Sequence, residues 1–323
     1  MADRKDDDSK MLRMPKQKKR PGAVWAVLIL LVTASCDNET RVDEVADWGG
    51  GTQSPYVPIG YKLAFEDNFD RLDLVDEIRS VADGDDHQAK GWETYFAGWN
   101  VRHLKGNNDQ ALKADASYEG KGGLSLGEHG ITLHEVTAEG TLKLYGRPTP
   151  DNLKAQFDFP YLGGMISGER LHAQRHGYWE LRLRPSNVSI GHHWAFWLIP
   201  SDHSWPPEID MLEVIGSNPA NPSDADYFFF NSILSQPNDD QITRITPPRG
   251  KDAWYTIGFL WDDQEMRWFL DGKEVRKRPS HQTDKEFYFL MSSEIGGNWV
   301  GAPTGDTIWP MEIEVDYIRI YRR

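Results

Sequence analysis

Apolar and polar residues alternate along several stretches in the C-terminal two thirds of the chain. The clearest stretch places Trp179, Leu181 and Leu183 on one face, with polar or charged residues between them. Residues 255–261 have the same spacing, as do residues 311–315, after which the phase slips near Asp316. A period of two predicts strands in antiparallel sheets, with one face directed into a core.

Turn signals separate these strand-like runs. Glu139-Gly140 and Asp271-Gly272 each lie between two runs and predict hairpin turns. No long segment has apolar residues at helical spacing. Many strands within one domain predict two packed sheets or a barrel, and hence an all-β fold.

The first 36 residues have the pattern of a secretory signal. Basic residues between Arg13 and Arg20 precede an apolar run at 23–32, and small residues follow up to Cys36. A basic region, a short apolar region and small residues are typical of an export signal. The apolar run is too short for a transmembrane helix, which needs about 20 apolar residues.

The position of the single cysteine, Cys36, refines this prediction. One cysteine excludes an intramolecular disulfide. The segment ending at Cys36 resembles a bacterial lipobox, although Thr33 stands where leucine is usual. We therefore predict a lipoprotein signal at residues 1–36, lipidation of Cys36 and a location in the bacterial cell envelope. The alternative is an ordinary signal peptide with an incidental cysteine.

Composition divides the rest of the chain and limits its partners. Residues 37–59 are polar and rich in glycine, which predicts a flexible tether, and residues 60–323 contain no second linker. The formal net charge of −14 argues against nucleic acid as a partner. Thirteen Trp and twelve Tyr fit either a large core or a cleft that stacks on sugar rings. We expect a monomer that touches a membrane only through its lipid anchor.

Three carboxylates lie close together in one strand-like segment, at Glu208, Asp210 and Glu213. In a regular strand the first two share a face and Glu213 points to the other. A β-bulge at Met211-Leu212 would bring all three to one face. Two of them could then act as nucleophile and general acid/base on a glycosidic bond, a retaining mechanism that needs a separation of about 5–5.5 Å. The alternative is a solvated acidic face, but the apolar neighbours predict a buried strand, where unpaired carboxylates are costly.

Several segments of the chain resemble those of a known enzyme family. Residues 205–213 resemble the active-site signature of glycoside hydrolase family 16 in its bulged form, which occurs in laminarinases and several galactanases. Further family-like segments occur at residues 65–69, 106–110, 176–182, 268–272, 296–303 and 315–321. The resemblance spans about residues 61–323. It implies a β-jelly-roll sandwich of the concanavalin A-like lectin/glucanase type, with a glycoside hydrolase catalytic domain at 60–323.

The resemblance also implies roles for individual residues. Glu208 would be the nucleophile, Glu213 the acid/base and Asp210 an assisting carboxylate. His193 occupies the usual place of a cleft tryptophan, and Trp194 that of a proline. The substrate-binding candidates are Trp205, Trp299, His193, Trp194, Asn108 and Glu294. For the two candidate stacking residues, Trp205 and Trp299, core packing is the alternative.

No cofactor is required by this chemistry. Some relatives hold a structural calcium between the two ends of the domain, and Asp316 matches one end of that site. Asn68 matches the other end but replaces the usual glutamate. Asp316 is thus the candidate metal ligand.

We therefore predict a retaining endo-β-glycanase that cleaves internal bonds of a polysaccharide, with β-1,3- or mixed-linkage glucan as the expected substrate. Three alternatives share the same fold. They are a transglycosylase, a hydrolase of galactan or exopolysaccharide, and a non-catalytic glycan-binding lipoprotein. Lectin-like relatives usually lose a catalytic carboxylate, whereas all three are present here.

Overall fold

The computed structural model describes residues 54–75, 91–218, 220, 222–235 and 242–323, all within the unit Val45–Arg323. The predicted signal and Cys36 lie outside these residues, as does most of the predicted tether. Within the described part of the chain, no helix is long and apolar enough to cross a membrane.

The described residues form strands with little helix. The strands are β1 (Lys62–Asp67), β2 (Leu74–Val75), β3 (Trp92–Glu93), β4 (Ala111–Lys113), β5 (His134–Val136), β6 (Leu142–Pro148), β7 (Tyr161–Gly163), β8 (Met165–Ser167), β9 (Ala173–Gln174), β10 (Gly177–Asn187), β11 (His192–Pro200), β12 (Glu208–Ile215), β13 (Phe228–Ile233), β14 (Thr243–Ile245), β15 (Tyr255–Trp261), β16 (Glu265–Leu270), β17 (Lys273–Pro279), β18 (Phe287–Ile295) and β19 (Met311–Arg322). The helical turns are α1 (Lys154–Phe157) and the 3₁₀ turns Ala97–Trp99, Lys105–Asn107, Asp151–Leu153 and Pro222–Asp226.

These strands build two sheets. In the first, the spatial order is β17-β16-β15-β10-β19-β6-β7-β4, with β1 beside β19 and β5 beside β6. In the second, the order is β14-β13-β12-β11-β18-β8-β3-β2, with β9 beside β18. Among the described strands the pairs are antiparallel except β2 with β3 and β4 with β7. The predicted two-sheet β sandwich is therefore confirmed.

The alternating residues of the sequence form the core between the sheets. Trp179, Leu181 and Leu183 of β10 are at most 1% exposed and pack in one cluster with Phe196 of β11 and Leu212 of β12. Burying a large apolar side chain contributes about 1.5–3 kcal/mol relative to exposure. This contact between the inner faces holds the two sheets together. The other face of the second sheet carries a smaller buried cluster, which includes Trp197 and Ile199, and beside it a cleft.

The structure also confirms the predicted hairpin turns and explains the slip in the alternation of residues near Asp316. Asp271 and Gly272 join β16 to β17 with φ values of 50° and 76°, the pair of positive values that a type I′ hairpin needs. Gly140, between β5 and β6, has φ 76°. On β19, Tyr317 and Val315 face consecutive residues of β10, so Asp316 is the extra residue that causes the slip in phase.

Candidate active site

The segment with three carboxylates forms β12, and the strand contains the predicted bulge. Asp210 pairs with Asn231 of β13, and Glu213 pairs with Phe229. Three steps along β12 therefore match two along β13. Across the other edge, the register with β11 skips Met211. One extra residue is accommodated here, as a β-bulge requires.

The bulge sorts the side chains of β12 between two environments. Met211 and Leu212 both join the core cluster. Glu208, Asp210 and Glu213 instead line a cleft of about 780 Å³ on the opposite face of the sheet. The three carboxylates thus share one surface, which a regular strand would not allow.

A tryptophan from the facing sheet fixes the backbone at this point. Trp268 of β16 is fully buried and donates its Nε1–H to the carbonyl oxygen of Asp210 at 2.9 Å. A bulge interrupts the regular ladder, and a buried carbonyl without a partner is costly. The indole therefore stabilises the irregular backbone between Asp210 and Glu213.

The carboxyl groups of Glu208 and Asp210 differ in how tightly each holds a proton. Trp205 donates its Nε1–H to Glu208 Oε2 at 2.6 Å. Burial raises the pKa of Glu208 to about 7. Burial, followed by the negative charge of Glu208, raises the pKa of Asp210 well above its usual range. Asp210 thus holds a proton that it can share with Glu208, which leaves Glu208 as the carboxylate that ionises first.

Glu213 lies at the other end of the bulge, next to His193. The ring atom Nε2 of His193 is 3.2 Å from Glu213 Oε1, and Nδ1 is 3.5 Å from Glu294 Oε2. Asn107 donates to the same Glu294 oxygen at 3.3 Å. All three ionisable residues are less than 10% exposed and line the cleft.

Aromatic side chains form the walls and floor of the cleft. Trp205 is 48% exposed and presents its ring to solvent. Trp299 packs edge-on against His193 and Phe229, at ring-centroid distances of 5.4 and 4.8 Å. Trp197 is only 4% exposed and donates to Ser292 Oγ, so its ring belongs to the floor. Trp205 is therefore the aromatic surface most available for stacking on a sugar.

Four of the six substrate-binding candidates line this cleft: Trp205, Trp299, His193 and Glu294. Trp194 does not, and this corrects the expectation from the sequence. Its side chain is fully buried in the core between the sheets, because it points to the opposite face from His193.

Asn108 is placed at the edge rather than in the cleft itself. It has a left-handed backbone, with φ 56°, and donates to Asn298 Oδ1 at 2.5 Å. It lines a smaller adjoining cavity, whereas its neighbour Asn107 lines the main cleft. The sequence marked this segment but could not identify Asn107, because a 3₁₀ turn followed by a left-handed residue has no regular side-chain period.

The residues matched to a calcium site do not fit that ion. The Asp316 carboxylate forms an ion pair with Arg182, and Asn68 accepts a hydrogen bond from Arg319. Calcium takes six to eight oxygen ligands. Across the described residues there is no group of three or more His, Cys, Asp or Glu side chains that could hold a metal. The donor set here is thus already paired with arginine.

Comparisons with known proteins agree with this geometry. A sandwich with closely spaced carboxylates in a cleft is an arrangement used by glycoside hydrolases. Residues 130–318 match the family described as Glycosyl hydrolases family 16. The match covers more than half of the chain, and the chain belongs to this family.

Relatives and solved structures extend the comparison. The chain is 28% identical over 262 residues to the endo-1,3-1,4-beta-glycanase EglC of Rhizobium meliloti, covering 80% of this chain and 51% of that protein. It is 24% identical over 314 residues to glucan endo-1,3-beta-glucosidase A1 of Niallia circulans, covering 85% and 44%. The chain thus spans about half the length of the curated relatives it matches.

Among solved structures, the laminarinase catalytic domain of Thermotoga maritima MSB8 superimposes with a TM-score of 0.60 at 18% identity. The match covers 81% of this chain and 98% of that one. At this identity the likeness concerns the fold. The jelly-roll sandwich implied by the sequence is therefore confirmed.

Proposed function

We propose that this protein is a retaining endo-β-glycanase, with Glu208 as nucleophile and Glu213 as general acid/base. The observation that carries this proposal is the bulge on β12, which brings both carboxylates and Asp210 to one surface of the cleft. A nucleophile and an acid/base must face the same glycosidic bond, and the proposal is supported by Glu208 and Glu213 lying on one strand and lining one cleft.

The proposed reaction has two steps. In the first, the ionised Glu208 attacks the anomeric carbon, and the glycosidic bond breaks as Glu213 gives its proton to the leaving oxygen. In the second, Glu213 takes a proton from water, and the water oxygen displaces Glu208 from the anomeric carbon. The proton on Asp210 stabilises Glu208 as a carboxylate before attack and again as it leaves the sugar.

We further propose β-1,3- or mixed-linkage β-glucan as the substrate. The relatives in Rhizobium meliloti and Niallia circulans carry names that specify 1,3-1,4-β- and 1,3-β-linkages. The cleft supports a neutral chain, because ionised Glu208 and Glu294 line it and would repel an anionic one. Hydrolysis and transfer use the same intermediate, and a product profile that contains oligosaccharides longer than the substrate would favour transglycosylation.

The mechanism is tested by following the anomeric configuration. Hydrolysis of laminarin and of mixed-linkage β-glucan, followed by NMR, should release the β-anomer first. Glu208→Ala should nearly abolish turnover, and azide should restore turnover of an activated aryl β-glycoside with an α-glycosyl azide as product.

Glu274→Ala provides the matched control, since Glu274 is an exposed carboxylate on β17. It should retain full activity. Release of the α-anomer first would refute the nucleophilic role of Glu208. Binding of both glucans without any turnover would instead favour the glycan-binding alternative.

The cellular location is a separate proposal. We propose that the protein is exported and anchored to the bacterial cell envelope by a lipid on Cys36. Its support is the signal-like segment that ends at the only cysteine of the chain. An anchored hydrolase would meet its polysaccharide outside the cytoplasm.

A further inference from the structure

His193 joins two carboxylates that come from different strands. In the register of the sheet, His193 of β11 lies directly opposite Glu294 of β18. On the other side, Glu213 of β12 pairs with Ala195, which places it diagonally from His193. Diagonal neighbours on one face of a sheet are within reach of long side chains. The three residues therefore form a row across the cleft floor.

The chemistry of the ring limits how this row can hold protons. A neutral imidazole has one N–H and one acceptor nitrogen, whereas an imidazolium has two N–H groups. Both ring nitrogens of His193 face a carboxyl group. Two arrangements satisfy both contacts with the same number of protons. In one, a charged His193 lies between ionised Glu213 and Glu294, and in the other, protonated Glu213 donates to Nε2 while Nδ1–H donates to Glu294.

The surroundings of Glu294 favour its ionised form. Burial opposes its charge, but the hydrogen bond and charge of His193, followed by Lys113 and Asn107, outweigh burial and lower the pKa of Glu294. Lys113 is itself fully buried and paired with Asp109 at 2.5 Å. Because Glu294 remains an acceptor, it fixes the proton on Nδ1 and leaves the second proton to be shared between Nε2 and Glu213.

We propose that His193 and Glu294 are positioning residues that store the catalytic proton beside Glu213 and return it when a glycosidic oxygen leaves. The proposal rests on the acid/base role of Glu213 proposed above. The proton moves from Nε2 to Glu213 and then to the leaving oxygen, and His193 is left neutral. In the second step, the proton that Glu213 takes from water returns to Nε2, and the cycle closes.

The charges that face His193 agree with a stored proton. Burial alone would lower the pKa of His193, but its interactions with Glu213 and Glu294 outweigh burial and raise it to about 10. Further along β12, Glu208 and Asp210 face the same cleft. Among the described residues, Trp299 is the aromatic residue whose ring contacts His193. Nε2 has no well-aligned hydrogen bond, and such contacts in ligand-free sites often tighten only when substrate is bound.

The first test compares pH profiles of the full-length protein on laminarin. In His193→Gln, Glu213 must hold its proton alone, so the alkaline limb of kcat/KM should move to lower pH by about 1–3 units. Glu294→Gln should move the limb in the same direction by less. His129→Gln, at a histidine that bonds Gln156 outside the cleft, should leave the profile unchanged. Coincident alkaline limbs in the wild type and His193→Gln would overturn the proposal.

An activated substrate separates this role from simple structural support. A dinitrophenyl β-glucoside needs no proton on its leaving group, so formation of the intermediate should be nearly as fast in His193→Gln as in the wild type. An equal loss on laminarin and on the dinitrophenyl substrate would mean that His193 only supports the cleft, and would overturn the proposal.

A measurement that needs no turnover keeps the test independent of the proposed function. NMR titration of the His193 ring should give a lower pKa in Glu213→Gln than in the wild type, by about 1–3 units, since one facing carboxylate becomes neutral. An unchanged titration would show that the two groups share no proton. If the wild type were inactive on every glucan but the shift in the His193 pKa were still observed, the shared proton would be supported. Only the proposed glycanase function would be refuted.

Discussion

The proposed nucleophile should lower the stability of the fold at neutral pH. Burial raises the pKa of Glu208 from 4.5 to about 7. The folded protein therefore binds a proton at Glu208 more tightly than the unfolded chain does. The stability associated with this group is fully present below about pH 4.5 and is lost as the pH rises through 7. Glu208→Gln keeps the shape of the side chain and removes the ionisation.

The magnitude follows from the size of the shift. At about 1.36 kcal/mol per pKa unit, the rise from 4.5 to about 7 corresponds to roughly 3 kcal/mol above pH 8. Glu208→Gln should therefore increase the free energy of unfolding at pH 8 by up to about 3 kcal/mol. At pH 4 the two proteins should be nearly equal, because both carry a neutral side chain there.

Urea unfolding followed by tryptophan fluorescence at pH 4 and pH 8 measures this difference. Glu274→Gln, at an exposed carboxylate of β17, is the control and should show no pH-dependent gain. The Glu208 variant should at the same time lose activity on laminarin, because an amide is no nucleophile. An equal gain at both pH values, or a loss at pH 8, would refute the reasoning.

Three further predictions concern other parts of the chain. Trp205→Phe keeps an aromatic ring but removes the N–H that bonds Glu208, so the pKa of Glu208 should rise and the acidic limb of kcat/KM should move to higher pH; an unmoved limb would contradict this role. Trp268→Phe leaves the buried carbonyl of Asp210 without its donor and should lower the free energy of unfolding by about 1–3 kcal/mol, measured by urea titration. Cys36→Ala should move the protein from the membrane fraction to the soluble fraction of a bacterial host, and unchanged fractionation would argue against lipidation.

The sequence predicted those features that follow from a period of two. Trp179, Leu181 and Leu183 alternate with polar residues, and one face of β10 could thus be assigned to a core without knowledge of its partners. The bulge was predicted for a chemical reason, because Asp210 and Glu213 could share a surface only with an extra residue between them. The structure confirms both.

Other features had no local signal. Residues 193–199 of β11 are apolar on both faces apart from His193, so alternation could not show which face forms the cleft, and Trp194 was assigned to the wrong one. The resemblance placed His193 and Trp194 together at the cleft, although consecutive strand residues point in opposite directions. The bond from Trp268 to Asp210 joins residues 58 positions apart across two sheets, and only the folded packing brings them together.

The face on which Glu213 lies depends on the bulge and on whether the number of residues between Asp210 and Glu213 is odd or even. The residue without a partner reverses the alternation of the side chains that follow it in β12, and this reversal brings Glu213 to the face of Asp210. Deletion of one residue between Asp210 and Glu213 would leave a spacing of two, so Glu213 would face the cleft in a regular strand without any bulge. Substitutions of Met211 or Leu212 leave the spacing of three unchanged and should keep the bulge, whereas a change of one residue in length should remove it. Natural variation at this site should therefore be of two kinds, replacements that keep the bulge and one-residue deletions that remove it.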